Sequence, residues 1–281
     1  MADVAGTAGG AGWTVALNGA RTGADGAAVP LSPAGLVSAA EAVLDVFAAA
    51  GAVGPGAPVA LEVSPRTPCG RQSLSPRVVG PVVAALRASR VVAGRPGVAL
   101  VVPVSVATEP DPGSRLRRFG GWEQLPDRVA VRFDEPGAAA LTVAAAGLGL
   151  GVDAHIPPIP GRRADRRGRS ALGRALVWAG RVPGVRIVCE WPSTGGGAPT
   201  GPVTAARRPC PDPPVPVTVF GRDGAAWPAL RAALRSGAGA RIGIGDVLTL
   251  PDGRPAPDSA ALVRAALFPG SDPRGVRAGS R

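Results

Sequence analysis

Short apolar runs alternate along the chain with longer segments rich in alanine, leucine and valine. The runs are hydrophobic at almost every position, a pattern typical of parallel strands that are covered on both faces. The longer segments have the length and composition of helices. Strands are predicted at residues 13–18, 58–63, 98–104, 128–133, 149–154, 185–190, 215–221 and 240–244. Helices are predicted at residues 33–50, 76–88, 114–122, 136–146, 166–180, 225–236 and 259–267.

The regular alternation of strand and helix predicts right-handed βαβ units and a parallel sheet. Eight strands in a chain of 281 residues fit one α/β domain, a single (β/α)8 or TIM barrel. We expect this barrel to span residues 13–268, with a flexible tail at 1–12 and a disordered tail at 269–281. Residues 191–214 are rich in glycine, proline and threonine, which predicts that the sixth helix region is short or irregular.

Three sequence positions carry signals for helix starts. Ser32 and Ser75 each precede a proline at a predicted first helical turn, where a hydroxyl caps free backbone amides. Glu135 precedes Pro136 after the fourth strand, where a carboxylate is favoured by the positive end of a helix. We therefore expect helices to begin directly after Ser32, Ser75 and Glu135.

The chain has a net charge of +11, and all 31 of its lysine and arginine residues are arginines. With 41 glycines and 32 prolines, this bias is typical of a GC-rich, actinobacterial genome. The charge reflects either a solvated surface or attraction for anions such as nucleic acid or coenzyme A. Aromatic residues make up only 4% of the chain and are not interleaved with the basic ones, which argues against nucleic acid as a partner.

An arginine-rich segment at residues 162–174 opens the predicted fifth helix. Its charges form either a solvated helix face or a site for an acidic partner. Salt-dependent binding of nucleic acid would favour the second interpretation. The segment contains Arg162, Arg163, Arg166, Arg167, Arg169 and Arg174.

Cysteine usage and the start of the chain predict a cytoplasmic protein. Cys69, Cys189 and Cys210 are far apart and odd in number, so we expect free thiols rather than disulfides. Residues 1–12 have neither the basic region nor the long apolar segment of a signal peptide. No uninterrupted apolar run reaches about 18 residues, which argues against a membrane span.

The chain contains one histidine, His155. This count excludes zinc fingers, His-x-His metal pairs and every other site that needs two imidazoles from one chain. His155 lies at the end of the predicted fifth strand, where it would reach the mouth of a barrel. Two interpretations stay open: a hydrogen-bonded or exposed residue, or an acid–base group or metal ligand together with Glu62 and Asp153.

The reactive groups of a (β/α)8 barrel lie at the carboxyl ends of the strands and in the loops that follow. Several such stretches occur here in the order and spacing of a known family, along residues 13–267. They are LNGART at 17–22, AVPLSP at 28–33, PR at 65–66, GRQSL at 70–74, EPDP at 109–112, EPGA at 135–138, AWP at 226–228 and the stretch 241–258 that begins RIG. Together they resemble the β-keto acid cleavage enzymes, whose founding activity is 3-keto-5-aminohexanoate cleavage.

The resemblance implies a (β/α)8 barrel, usually a homo-oligomer, in which a β-keto acid and acetyl-CoA yield acetoacetate and a new acyl-CoA. It also implies a divalent metal, usually zinc, that polarises the keto acid and stabilises enolate charge. The family's ligands are two histidines after the second strand and a glutamate after the eighth, and these positions are Glu62, Ser64 and Gly245 here. A carboxylate and a hydroxyl are poor substitutes for imidazole, so we expect the metal site to be lost.

The resemblance assigns catalytic roles to two groups that the chain retains. Asp246 corresponds to the general base, and Arg241 to the arginine that partners this base and the substrate. A second interpretation is a structural ion pair that closes the barrel. Arg66 would hold a carboxylate or phosphate in a bidentate manner, or form a salt bridge at the barrel rim.

Further strand-end residues complete the predicted substrate site and depart from the family in places. Asn18, Asp153 and His155 are expected to contact substrate, and Asp153 stands where the family has a glutamate. Arg132 replaces the asparagine expected after the fourth strand. The seventh strand ends in FGRD at 220–223 instead of the family's His-Gly-Glu-Asp, which reverses one charge.

Functions of different classes follow from these observations. The first is a relative of the β-keto acid cleavage enzymes that has lost its metal and is inactive, or only binds keto acid or acyl-CoA. The second is an active enzyme whose site is rebuilt around Asp246, Arg241, Arg66 and His155. The third is an anion- or nucleic-acid-binding protein that uses the arginine-rich segment.

Overall fold

The computed structural model describes residues 12–26, 28–52, 58–158, 166–192 and 215–269. Within these ranges, parallel strands pair in chain order and close into a barrel from β1 to β8. The predicted (β/α)8 barrel is therefore confirmed. The strands are β1 (Trp13–Ala16), β2 (Val59–Glu62), β3 (Val98–Val104), β4 (Arg128–Arg132), β5 (Gly151–Ile156), β6 (Val185–Trp191), β7 (Val217–Gly221) and β8 (Gly239–Arg241).

The helices of the described ranges surround the barrel and alternate with its strands. They are α1 (Pro33–Ala49), α2 (Pro76–Ala88), α3 (Arg90–Ala93), α4 (Pro112–Gly120), α5 (Ala138–Gly147), α6 (Arg166–Ala179), α7 (Ala226–Ser236) and α8 (Ser259–Leu267). None of them is long and apolar enough to cross a membrane. The predicted irregular sixth helix region and most of both predicted tails lie outside the described residues.

The main hydrophobic core lies between the barrel wall and the surrounding helices. Phe47 of α1, Leu61 of β2 and Leu86 of α2 are completely buried in it. Inside the barrel, the apolar cluster is small and consists of Ala60, Val101 and Ala130. These short side chains leave room in the barrel for the charged groups described below.

One buried charge cluster lies among the amino-terminal halves of β4, β5 and β6. Asp153 accepts hydrogen bonds from Arg128 Nε at 2.6 Å and from Arg186 Nε and Nη2 at 2.7 Å. Burial alone would raise the pKa of Asp153, but the hydrogen bonds and charges of Arg186 and Arg128 outweigh it and lower the pKa to about 2. Asp153 is therefore ionised and fully paired.

The helix starts agree with the sequence prediction at two of three positions, and one of the two predicted serine caps forms. Ser32 accepts a hydrogen bond from the Gly35 amide at 3.1 Å and caps α1. As predicted, α2 begins directly after Ser75, but the Ser75 side chain makes no capping bond, so the predicted hydroxyl cap was wrong.

The prediction for Glu135 was also wrong. The helix begins at Ala138 after Gly137, whose φ of 84° suits glycine. The Glu135 carboxylate turns instead to the end of β3, where it accepts from Ser105 Oγ and the Val106 amide, each at 2.9 Å.

The last strand is shorter than the sequence predicts. It ends at Arg241, because the chain then turns and packs glycine against β1. The Gly245 amide donates to the Ala16 carbonyl at 2.9 Å. A Cβ on Gly243 would stand 2.3 Å from the same carbonyl oxygen, so the close approach of these two segments requires glycine.

Candidate functional site

A cavity of about 500 Å³ opens at the carboxyl ends of the strands. We call it the mouth cavity. Its wall contains three carboxylates, three guanidinium groups, one imidazole and several neutral polar groups. The charged and titratable members are Glu62, Arg132, Glu135, His155, Glu190, Arg222 and Arg241. This is the position at which (β/α)8 barrels carry their binding sites.

Arg241 joins two carboxylates at the floor of the mouth cavity. Its Nη2 donates to Glu62 Oε1 at 2.9 Å and to Asp246 Oδ1 at 3.0 Å. Its Nη1 also bonds Glu62 Oε2, and its Nε donates to Asp246 Oδ2 at 3.1 Å. The ring of Phe220 lies 4.4 Å from the guanidinium carbon, close enough for a cation–π contact. One cation is thus enclosed by two carboxylates and an aromatic face.

The two carboxylates bound to Arg241 respond differently to burial. Burial raises the pKa of Glu62, but the charge of Arg241 outweighs it and the pKa is lowered overall. For Asp246, which is completely buried, burial exceeds the effect of Arg241 and the pKa is raised. Burial alone would lower the pKa of Arg241, but the charges of Asp246 and Glu62 outweigh burial, and the pKa is raised overall. Of the two carboxylates, Arg241 therefore favours the ionised form more strongly at Glu62 than at Asp246.

The residues at the family's metal positions do not fit a metal ion. The Glu62 carboxylate is bound by a guanidinium, whose positive charge opposes a second cation at the same oxygens. Ser64 offers a single neutral hydroxyl. A Cβ on Gly245 would stand 2.8 Å from the Gly19 nitrogen, so no side chain fits at the third position. Across the described residues, no group of three histidine, cysteine, aspartate or glutamate side chains is disposed to hold a metal.

His155 stands beside Glu62 in the wall of the mouth cavity. Its Nε2 lies 3.7 Å from Glu62 Oε2 and is buried without a hydrogen-bond partner. Burial lowers the pKa of His155 to about 4, more than the neighbouring Glu62 carboxylate raises it. The imidazole is neutral at pH 7. It can therefore donate from one ring nitrogen and accept at the other.

The rim of the mouth cavity carries two arginines that face solvent in part. Arg222 donates from Nε to Glu190 Oε1 at 3.0 Å, and its side chain is 36% exposed. Arg132 is 29% exposed and lies 3.2 Å from Asp134, 3.4 Å from Glu135 and 3.7 Å from Glu190, so three carboxylates surround it. Arg222 pairs with Glu190, which it shares with Arg132. Of the two rim arginines, Arg222 is therefore the one with more of its charge available to a small anion.

A larger cavity of about 1110 Å³ adjoins the mouth cavity and shares Ala20, Gln72, Ala107 and Thr108 with it. Its wall includes Arg66, Arg71 and Arg77, together with the exposed thiol of Cys69. The pKa of that thiol is lowered, and the largest contribution comes from its hydrogen bond with Thr67.

Comparison with known sequences connects this site with one family. The sequence model of the family described as beta-keto acid cleavage enzyme matches residues 189–268. The matched segment includes Arg241, Gly245 and Asp246, and it covers less than half of the chain. It supports a relationship to that family. No curated protein matches the chain.

Solved structures with similar folds are distant in sequence. The carboxyl transferase domain of Rhizobium etli pyruvate carboxylase, with pyruvate and biocytin, is 16% identical at a TM-score of 0.47, covering 96% of this chain and 46% of that one. The chain thus spans about half the length of that protein. Sialic acid synthetase from Leptospira borgpetersenii is 12% identical at a TM-score of 0.42, and the match covers 92% of this chain and 83% of that one. Phosphoribosyl anthranilate isomerase from Thermococcus kodakaraensis is 14% identical at a TM-score of 0.40, and the match covers 92% of this chain and 100% of that one.

The structure brings some of the predicted site residues together. Arg241, Asp246 and His155 converge with Glu62 at the mouth, although Asp246 lies beneath Arg241 and not in the cavity wall. Asp153, in contrast, belongs to the deeper cluster with two arginines and does not line the mouth cavity.

Two other predicted residues bond to the backbone around the mouth. Asn18 donates to the carbonyls of Pro30 and Ser64 and accepts from the Ser64 amide at 2.8 Å. The terminal nitrogens of Arg66 donate to the carbonyls of Gly19, Arg21 and Gly70. These bonds fix the loops after β1 and β2. Because the Asn18 amide and the Arg66 guanidinium already donate to the backbone, neither side chain can bind a ligand with all of its donors.

Sequence reasoning missed the role of Phe220, which covers both Arg241 and, at 5.6 Å, Arg222. The signal was an aromatic side chain at the end of β7, in place of the histidine of the family pattern. Of the arginine-rich segment, Arg174 bonds the Phe133 carbonyl and Ser170. The side chains of the other five arginines lie outside the described residues.

Proposed function

We propose that this protein is a divergent relative of the β-keto acid cleavage enzymes that binds a small carboxylic acid, of the size of a short β-keto acid, without metal-dependent cleavage. The observation that carries the proposal is the Arg241 guanidinium bound between Glu62 and Asp246. Glu62 stands where the resemblance implies a metal-binding histidine, so the guanidinium is bonded to one of the positions that would hold the metal. The family match over residues 189–268 supports the ancestry.

The guanidinium does not replace the metal's chemistry. A divalent metal accelerates such reactions because it polarises a keto oxygen and stabilises negative charge as it develops. The charge of Arg241 is already balanced by two carboxylates, so little of it is available to a substrate. Loss of several kcal/mol of such stabilisation slows a reaction by on the order of thousands-fold, at about 1.4 kcal/mol per factor of ten.

Binding has better support than cleavage. Arg222 presents a partly exposed guanidinium group to the mouth cavity and shares its carboxylate partner, Glu190, with Arg132. A guanidinium group of this kind recognises carboxylates well. The adjoining cavity, with Arg71 and Arg77 in its wall, is the place where the phosphates of an acyl-CoA would find cationic partners. Acetyl-CoA is thus a co-ligand in this proposal, not a tightly bound cofactor.

An active enzyme with a rebuilt site has weaker support. Asp246, its general base, is completely buried and already bound to Arg241. Proton abstraction needs the base within hydrogen-bond reach of the substrate. Arg66, its second arginine, is bonded to backbone carbonyls through both terminal nitrogens.

The assembly and location of the protein form the remaining part of the proposal. We propose a homo-oligomer in the cytoplasm, with residues 13–268 as its one folded domain. The resemblance supports the oligomer, and the absence of disulfides between the described cysteines Cys69 and Cys189 is compatible with a reducing compartment. Light scattering of the purified protein measures the oligomeric state.

Elemental analysis and an activity assay test the proposal together. The purified protein would be analysed for bound metal and assayed for acetoacetate formation from several β-keto acids with acetyl-CoA. In parallel, calorimetry would measure binding of acetoacetate to the wild type, to Arg222→Ala and to Arg254→Ala. Arg254 is a matched control, since it pairs with Asp252 on an exposed turn.

We expect far less than one metal per chain, no turnover, and acetoacetate binding that is weakened at least about tenfold in Arg222→Ala alone. One metal per chain together with turnover contradicts the proposal. Loss of binding to the same degree in both variants would argue that the rim arginine has no specific role.

A further inference from the structure

The pair formed by Glu62 and His155 presents an unusual combination of hydrogen-bonding groups to the mouth cavity. Both residues line the cavity, and Oε2 of Glu62 lies 3.7 Å from Nε2 of His155. The imidazole is more than nine-tenths buried, and its Nε2 has no partner. A buried nitrogen in this position costs stability unless a ligand or water completes its bonding.

We propose that this pair selects a ligand with a hydroxyl group over the corresponding ketone, so that the mouth cavity takes a hydroxy carboxylic acid. The inference rests on the proposed function, because it assumes that the ligand's carboxylate is held by Arg222 at the rim. Glu62 and His155 are then the residues that determine specificity at the other functional group of the ligand.

The argument depends on which groups donate and which accept. An ionised carboxylate such as Glu62 only accepts hydrogen bonds, and a keto oxygen also only accepts. A ketone placed against Glu62 would therefore bring two acceptors together without a proton between them. A hydroxyl both donates and accepts, so it donates to Glu62 Oε2 and accepts from His155 in the tautomer protonated at Nε2.

The distance between the two groups permits one ligand oxygen to serve both. Hydrogen bonds of this type have lengths of about 2.7–3.0 Å. Two atoms 3.7 Å apart can each lie at such a distance from a third atom that forms a triangle with them. Glu62 Oε2 retains a lone pair for this bond, because a carboxylate oxygen accepts more than one donor and Arg241 supplies one.

The predicted preference reverses that of a metal site. A cation attracts a keto oxygen, whereas the carboxylate of Glu62 repels it. Sites built to hydrogen-bond a hydroxyl discriminate strongly against analogues that lack it. For a partly open cavity, we expect a preference of at least about tenfold in Kd.

Calorimetric titration with a matched ligand pair tests the inference. The probes are 3-hydroxybutyrate, as each enantiomer, and acetoacetate, which share a carbon skeleton and charge and differ in the hydroxyl or keto group. Wild type, His155→Phe, His155→Gln and the surface control Arg254→Ala would be titrated, with unfolding curves to verify that each variant is folded. Glu62 itself is left unchanged, because its loss would leave Arg241 with one carboxylate inside the barrel.

We expect one enantiomer of 3-hydroxybutyrate to bind at least about tenfold more tightly than acetoacetate to wild type and to Arg254→Ala. The preference should disappear in His155→Phe and return in part in His155→Gln, whose amide still donates. Equal or tighter binding of acetoacetate to wild type overturns the inference but leaves carboxylate binding in place. Absence of binding by either probe refutes the proposed function and this inference together.

Discussion

Glu62 shows how the chemistry of a buried side chain depends on its neighbours. A carboxylate at this position would be costly inside a barrel without a cation, since an unpaired buried charge destabilises a fold by several kcal/mol. Arg241 supplies that cation through both terminal nitrogens. Gly245 contributes to this arrangement, because its missing side chain lets the segment after β8 approach Gly19.

The stability of the protein should depend on pH through His155. Its pKa is about 4 in the folded state because of burial, against 6.5 ordinarily. Between these values the unfolded chain binds a proton that the folded chain does not. The contribution of His155 to the free energy of unfolding is therefore constant above pH 6.5. As the pH falls from 6.5 towards 4, protonation of the unfolded chain lowers the free energy of unfolding by up to about 3 kcal/mol.

Urea unfolding of wild type and His155→Phe across this pH range measures the effect. The wild type should lose more stability than the variant, and the difference should grow as the pH falls. Because the chain has a single histidine, its imidazole resonance can also be titrated directly by NMR. Parallel pH profiles for the two proteins would contradict the assignment of this effect to His155.

The sequence identified the important positions but not their contacts. It predicted the Arg241–Asp246 pair through the family resemblance, and the structure shows the two side chains bonded. It could not predict that Glu62 joins them, since no local pattern links residues 179 positions apart. For Arg66 the backbone of the adjoining loops decided the outcome, and loop geometry does not follow from hydrophobic periodicity.

At the scale of elements, the seam between β8 and β1 is built for close approach. The two strands are paired at only two positions, and the glycines after β8 then pack directly on the backbone of β1. The order of strands and helices was predictable, because nearly continuous apolar runs alternate with helical segments. The end of β8 was not, since the apolar Ile242 and Ile244 continue the pattern of a strand after the chain has turned.

Two glycine-to-alanine substitutions should have opposite effects on stability. Gly245→Ala places a Cβ 2.8 Å from the Gly19 nitrogen and should destabilise the protein by about 1–3 kcal/mol. Gly173→Ala lies on the exposed face of α6, where a Cβ meets nothing within 4 Å. Alanine favours helix there, so a gain of about 0.5–1 kcal/mol is expected. Urea unfolding of both variants measures the signs, and equal signs would contradict the described packing.

At the scale of the whole molecule, charge is distributed very differently inside and outside the barrel. The chain carries a net charge of +11, yet the interior balances arginine against carboxylate in the Asp153 cluster and around Arg241. Composition alone showed only the excess of arginine. The positions of the paired arginines depend on closure of the barrel, which brings neighbouring strands into register.

The described cysteines should report on the integrity of the whole fold. Cys69 is exposed, while Cys189 is buried in β6, where burial raises the pKa of its thiol to about 12. Since the thiolate is the reactive form, Cys69 should react with iodoacetamide at once and Cys189 at least about a thousandfold more slowly. Mass spectrometry of the labelled peptides measures both rates. Similar rates in native buffer would contradict the burial of Cys189, whereas similar rates in denaturant are expected.

The bond between Glu62 and Arg241 also constrains how the protein is made. Its two residues are separated by 179 positions, so Glu62 leaves the ribosome long before its cation is synthesised. Until then the second strand cannot be buried without an unpaired charge. Barrel formation should therefore be a late, cooperative event in biogenesis, and a nascent chain that stalls before Arg241 should need a chaperone.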